Sequence, residues 1–356
     1  MKKNLLLIVL LFASIISLQA QSYQKPKLSD SNSWSLIILP DVQNYVKFER
    51  NQPILDLMTT WIKVNLDTLN IKMVMCTGDL VEYNERIDPD GTKFDQPSKS
   101  QWEAVSRSFS KLDGHVPYLT VTGNHDFSYG NQQKKNSHFN EYFPVDKNFL
   151  NQKLLKTAGW NTEVIQTLEN AAFEFTSPNN EQYLFLTMEF GPRDDIIEWA
   201  RKVVDDEKYK KHRVVILTHS YLAADNERIK ESKYPVADKN EGEAIWQKLI
   251  QPSNNIEFVV SGHIGLPDNF EGHTGFRTDK NNAGKKVHQM AFNAQGMGGG
   301  WAGNGGDGWL RILEFLPDGK TVKVKTFSPL FAFSPSTQSL AWEKSDYNEF
   351  EFQFGE

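Results

Sequence analysis

The chain has 356 residues, with 39 basic and 45 acidic side chains and a formal charge of −6. Apolar residues at 39% and charged residues at 24% exclude a disordered chain and fit one large or two ordinary globular domains. A pI near 5.8 gives no electrostatic footprint for nucleic acid.

Residues 1–20 read as a secretory signal that is removed. Lys2 and Lys3 precede an apolar run from Leu5 to Leu18, and Leu18-Gln19-Ala20 forms a cleavage site. The run is too short to span a bilayer, and no later stretch is long enough for a membrane helix. An exported protein, periplasmic or secreted, is therefore expected. The lone cysteine, Cys76, allows no intrachain disulfide and sits in an apolar strand-like run, where packing is expected rather than nucleophilic chemistry.

Residues 21–356 show no repeat, charge block or linker, so a single domain with a β-rich C-terminal portion is expected. Strands are expected at 35–39, 71–76, 118–121, 183–188, 214–218 and 256–261. Several are apolar throughout, as in strands covered on both faces. Amphipathic patterns predict helices at 53–69, 101–112, 193–204 and 243–250. Further strands follow at 287–292, 309–315 and 321–327 with no helix between them, the last two joined by a turn at Asp318-Gly319. The glycine-rich stretch 296–308 lacks the strand-loop-helix context of a nucleotide loop; a flexible cleft wall is expected there, with Trp301 as a stacking or lid residue.

The chemistry is written where strands end. Asp41, Gly78-Asp79, Gly123-Asn124-His125-Asp126, His219 and Gly262-His263 each follow a β-rich run. Carboxyl ends of strands form the ligand-binding rim of α/β folds. A convergence of carboxylate, amide and imidazole groups suits divalent metals. Singly, each segment is weak evidence; the ordered set is what carries weight.

That ordered set resembles the calcineurin-like metallophosphoesterase superfamily, whose pattern is Asp-x-His, Gly-Asp, Gly-Asn-His-Asp/Glu, His, Gly-His-x-His. The resemblance implies a four-layer α/β/β/α sandwich of two mixed sheets flanked by helices. It implies that Asp79 bridges two metals, that Asn124, His219 and His263 hold the second, and that His125 protonates the leaving group. Two positions depart from the pattern, and both concern the first metal: Gln43 stands for one histidine and Gly265 for another. Within the superfamily the chain resembles a branch with Asp-x-Gln and Gly-His-x-Gly, and with segments like Glu189–Arg193 and Gly308–Phe315. Asp41, Asp79 and the Gln43 carbonyl remain for the first site. An oxygen-only set suits Mg²⁺, Mn²⁺ or Ca²⁺ and leaves open a weakly held or empty position.

The implied activity is that of a secreted phosphoesterase acting on a mono- or diester through a metal-activated hydroxide, with one or two divalent ions among Mn, Zn, Fe, Mg and Ca. The alternative is a non-catalytic phosphate- or glycan-binding protein with a degenerate first site. Asn84 and Arg228 are candidate substrate contacts, each weighed against a loop cap or a solvated charge.

Overall fold

A computed structural model describes residues 23–128 and 135–355. The expected signal segment, 1–20, lies outside them. Among the described residues no helix is long and apolar enough to cross a membrane.

The first sheet is built on β1 (Trp34–Leu39), β2 (Ile71–Cys76) and β3 (Tyr118–Thr120), which run parallel, pairing Ile37 with Val74 and Met75 with Leu119. A C-terminal β-rich stretch completes its seven strands. In the second sheet β4 (Leu155–Trp160), β5 (Gln166–Thr176), β6 (Gln182–Met188), β7 (Arg213–Thr218), β8 (Ile256–Ser261), β9 (Thr274–Lys280) and β10 (Lys286–Phe292) take the order β4-β5-β6-β7-β8-β10-β9. Strands β6, β7, β8 and β10 are mutually parallel. Back in the first sheet, β11 (Leu310–Phe315) pairs antiparallel with β1, and β12 (Thr321–Phe327) follows it through the expected turn at Gly319, φ +71°. The short strands β13 (Trp342–Glu343) and β14 (Phe350–Gln353) both pair with β12.

Three longer helices cover the sheets. Helix α1 (Gln52–Val64) buries Leu55, Met58, Thr59 and Ile62, a stripe at helical spacing, and α2 (Ser98–Ser110) buries Trp102, Val105 and Phe109. Their apolar faces share one core with both sheets. Helix α3 (Asp194–Val204) opens with Asp194 and Asp195 near its positive end and buries Ile197, Ala200, Val203 and Val204 in a second core, on the outer face of the second sheet. The order is the expected α/β/β/α.

Three differences from the sequence reading have local causes. Helix α1 stops at Val64 rather than Leu69, because the Asn65 amide donates back to the Trp61 carbonyl at 2.8 Å. The expected helix at 243–250 is a single α-turn, Gly242–Ile245, that widens into a π-turn at Trp246–Ile250. Five strands went unseen: β4 and β9 are sheet edges with exposed polar positions, β13 and β14 are short, and the interior β5 carries buried Glu169 and Asn170 in its run.

At the end of the sandwich where β1 and β6 begin, Trp34 stacks on Phe315 at 4.0 Å and meets Phe175 and Tyr183 at 5.4 and 5.7 Å. The polar residues of the sequence motifs lie at the opposite end, past the strands' carboxyl ends.

Candidate metal centre

Parallel strands deliver their C-terminal residues to one rim. From the first sheet come Asp41, Asp79 and Asn124, just past β1, β2 and β3; from the second come Glu189, His219, His263 and Asn293, just past β6, β7, β8 and β10. The motif glycines are explained by contact. A Cβ at Gly123 would lie 2.1 Å from Asp79 Oδ1, and one at Gly262 would lie 2.2 Å from Asp41 Oδ1. Asp79 and His263 are themselves held at φ +47° and +71°, a strained backbone region for such residues that concentrates at functional sites.

Asp41, Asp79 and His219 are all buried and offer ligand atoms within 4.8 Å of one another, a cluster that could hold a metal. The hydrogen bonds divide this cluster into two halves.

One half gathers acceptors. His219 Nδ1 donates to the Thr77 carbonyl at 2.8 Å, which fixes the tautomer and leaves Nε2 as a lone pair. That lone pair faces Asn124 Oδ1 at 3.0 Å, His263 Nδ1 at 3.1 Å and Asp79 Oδ1 at 3.5 Å. Burial pulls both imidazoles down to about 3, so neither carries a charge at neutral pH. Of these neighbours only His263 Nδ1 can bring a proton to the lone pair; the Asn124 oxygen and the Asp79 carboxylate repel it unless a cation lies among them. Donors bound at about 2.0–2.2 Å to one ion stand roughly 3.0–3.5 Å apart. Asp79, Asn124, His219 and His263 therefore fit a divalent metal, which these residues would hold.

The other half is filled by donors. Asp41 Oδ1 accepts from the Thr77 hydroxyl at 2.7 Å; its Oδ2 accepts from the His263 amide at 2.9 Å and from Asn293 Nδ2 at 2.6 Å. Gln43 Nε2 donates to Asp79 Oδ2 at 2.9 Å. Burial, and then the neighbouring Asp79, push the Asp41 carboxyl well above the usual carboxylate range.

His125 borders both the rim and a cleft of about 310 Å³ lined by Tyr83, Arg86 and Phe127 among others. Its Nδ1 donates to the Glu82 carbonyl at 2.9 Å, so Nε2 is the atom free to exchange a proton. Burial works to depress the imidazolium, but Asp79 and Glu82 outweigh it and the pKa rises. Asp126 accepts from the backbone amides of Gly123, Leu80 and Val81 at 2.7–3.1 Å and thereby ties the His125 turn to the Asp79 loop.

The two residues considered for substrate are committed elsewhere. Asn84 lines the cleft, but its side chain accepts from Trp102 Nε1 and the His138 amide and donates to Ser128 Oγ and the Asn136 carbonyl, a structural knot within the cleft wall. Arg228 lies over the Trp246 ring at 3.9 Å and donates to Gln289, Glu243 and Asp279. The glycine-rich loop is pinned: Asn304 bonds Asp307, and Arg50 and Asn51 donate to the Ala302 and Gly303 carbonyls. Trp301 remains 43% exposed above Gly265. Cys76 is fully buried and burial pushes its thiol up, away from nucleophilic use.

Several neighbours were missed. Asn293 follows β10 as Asp41 follows β1, so the strand-end rule would have found it. Phe190 packs at 5.8 and 6.0 Å from the His219 and His263 rings. Glu189 beside it was legible in the sequence as a strand-end carboxylate; it bonds Lys135 at 2.6 Å, Arg193 at 3.2 Å and Asn170 at 2.9 Å. Tyr234, in an irregular segment with no sequence signal, bonds the Asn124 side chain; burial raises its hydroxyl to about 12.

The model of the calcineurin-like phosphoesterase family matches residues 36–267. The protein YvnB of Bacillus subtilis (strain 168) is 29% identical over 304 residues, 83% of this chain; the chain spans only 20% of that relative's length. Among solved structures, the purple acid phosphatase PPD1 of yellow lupin (Lupinus luteus) is 12% identical with a TM-score of 0.48, over 92% of this chain and 55% of the other. GAP50 of Plasmodium, described as the anchor in the inner membrane complex, is 13% identical with a TM-score of 0.42, over 91% and 89% of the two chains.

Proposed function

The chain belongs to the calcineurin-like phosphoesterase family, and from that premise we propose that it is an exported, metal-dependent phosphoric ester hydrolase. The observation that carries the reading is the convergence on the His219 Nε2 lone pair of Asn124 Oδ1, His263 Nδ1 and Asp79 Oδ1, all at 3.0–3.5 Å. Without a cation the rim would present Asp41 and Asp79 to an incoming phosphate and repel it.

A bound divalent metal supplies charge neutralisation of the phosphate and an acidified water. The chain supplies the rest. Asp79, held at its strained φ and by the His125 amide at 2.9 Å, fixes one wall of the centre. Phe190 keeps water away from the outer faces of His219 and His263. Tyr234 sets the Asn124 side chain. His125, oriented through Nδ1 by the Glu82 carbonyl, holds a proton for the departing alkoxide at Nε2, a role worth about 10²–10⁴ in rate.

The test is hydrolysis by the mature chain, stripped of metal and then reloaded with Mn²⁺, Zn²⁺, Fe²⁺, Mg²⁺ or Ca²⁺, against phosphomonoesters and phosphodiesters. Turnover that appears only with metal is expected. Tight metal binding with no turnover under any ion would replace the enzyme with a phosphate- or glycan-binding protein.

A further inference from the structure

We propose that the centre holds one metal ion, because the Gln43 and Asn293 amides fill the place of a first ion, and that it thereby favours singly charged phosphodiesters over phosphomonoesters; the substrate half rests on the phosphoesterase reading above.

The residues present do not fit a first ion. Asn293 cannot turn its carbonyl toward Asp41. Its Oδ1 already accepts from the Ala294 amide at 2.7 Å and the Gln295 amide at 3.1 Å, so Nδ2 is the atom fixed on Asp41 Oδ2 at 2.6 Å. Gln43 is 1% exposed, and turning its amide would press Oε1 against Asp79 Oδ2, where Nε2 now donates at 2.9 Å. An amide nitrogen has no lone pair for a metal. Both carboxylates thus receive side-chain N–H groups where a cation would stand. As oriented, Gln43 Oε1 is buried without a donor among the described residues, an acceptor for a water or ester hydroxyl entering the centre.

The missing imidazole cannot simply be restored. Gly265 is not in a left-handed conformation, so its backbone does not require glycine. The obstacle is its neighbours: a Cβ there would lie 2.7 Å from His273 Nε2 and 3.1 Å from Trp301. His273 takes the volume but not the role. Its Nδ1 bonds the Asn269 carbonyl at 2.8 Å and its Nε2 accepts from the Gly296 amide at 3.1 Å, so neither nitrogen is available as a ligand.

The charge balance follows. One divalent ion balances the two carboxylates Asp41 and Asp79, whereas two ions would add two further positive charges; the His125 imidazolium stands beside either arrangement. Arg228 adds no charge here, since its guanidinium serves Glu243 and Asp279. A one-ion centre, two positive charges poorer than a two-ion centre, leaves a diester monoanion better compensated than a monoester dianion.

The experiment counts metal on the mature wild-type chain saturated with Mn²⁺ and desalted, by elemental analysis and electron paramagnetic resonance. One ion per chain with an uncoupled six-line spectrum is expected; two ions, or a spin-coupled spectrum, overturns the inference. Gln43→His with Gly265→His should still bind one ion, because the Asn293 amide still caps Asp41 and His273 still fills the volume beside residue 265; adding His273→Ala and Asn293→Ala to that pair should admit a second. If that quadruple variant does not fold, the wild-type count and spectrum decide alone. On the Mn²⁺-loaded wild type, kcat/KM for bis(p-nitrophenyl) phosphate should exceed that for p-nitrophenyl phosphate by about tenfold or more, little over 1.4 kcal/mol of barrier. Equal or reversed values overturn the substrate half. One bound ion with neither ester hydrolysed would sustain the count and overturn the phosphoesterase reading.

Discussion

The two ends of the sandwich solve opposite problems with the same strands. Where β1 and β6 begin, the sheets meet through Trp34, Phe175, Tyr183 and Phe315, uncharged rings 4.0–5.7 Å from Trp34, with Arg213 at their margin paired to Glu257. Where β1, β2, β7 and β8 finish, the sheets meet through buried Asp41, Asp79 and His219 and the half-buried His263, polar groups that need a cation or hydrogen bonds between them. Burial stabilises the first end. At the second it is a cost, and metal binding and hydrogen bonds must offset it. Stability and chemistry are therefore separable by mutation along the same strand.

The largest expected effect is at the polar end. His219→Ala removes the imidazole that faces three other donors, so metal per chain should fall toward zero and hydrolysis with it, as read by elemental analysis and assay. Unchanged metal content would break the comparison, because the rim would then be held by hydrogen bonds alone. Next comes His125→Ala. It should retain the metal while kcat drops about 10²–10⁴-fold, which separates the proton donor from the metal's holders.

Trp34→Ala sharpens the contrast from the other end. Loss of a 1% exposed indole should cost about 3–5 kcal/mol in denaturant unfolding. Metal stoichiometry and kcat should stay at wild-type values at temperatures where the variant is folded. A loss of metal in this variant would mean that the aromatic end positions the rim rather than merely closing the sheets.

The smallest effect is expected at Arg228. Its ion pairs join β9 to the Gly242–Ile245 turn, so Arg228→Ala should cost on the order of 1–3 kcal/mol of stability and leave kcat/KM alone. A fall in kcat/KM without a fall in stability would return Arg228 to the substrate, where the sequence reading had considered it.

Which parts could be read from sequence follows from what each residue has to do. Strands β1, β2, β7 and β8 are covered on both faces, so they are largely apolar, with a single polar residue near the start of each, and announce themselves. Edge strands β4 and β9 carry exposed polar positions and do not. Asp41, Asp79, Asn124, His125, His219 and His263 were visible because glycine or a strand end marks most of them, and the structure gathers all six. Partners were not visible. Nothing in the sequence says that the Asn84 amide is used up by Trp102 and Ser128, or that Arg228 lies on Trp246, because both depend on contacts between distant segments. Tyr234 lies in an irregular stretch between elements, where no periodicity points to its neighbours.

The contact between Gly265 and His273 has a consequence for how this rim can change through descent. The two positions compete for one volume: a side chain at 265 needs the space that the His273 ring now fills, 2.7 Å from where its Cβ would start. Neither can be altered toward the two-histidine pattern alone. A lone substitution at 265 collides, and a lone truncation at 273 opens a cavity and strips the Gly296 amide of its acceptor. Homologous chains should therefore show imidazole at one of these positions or at the other, with few intermediates, so that the pair behaves as a single inherited character.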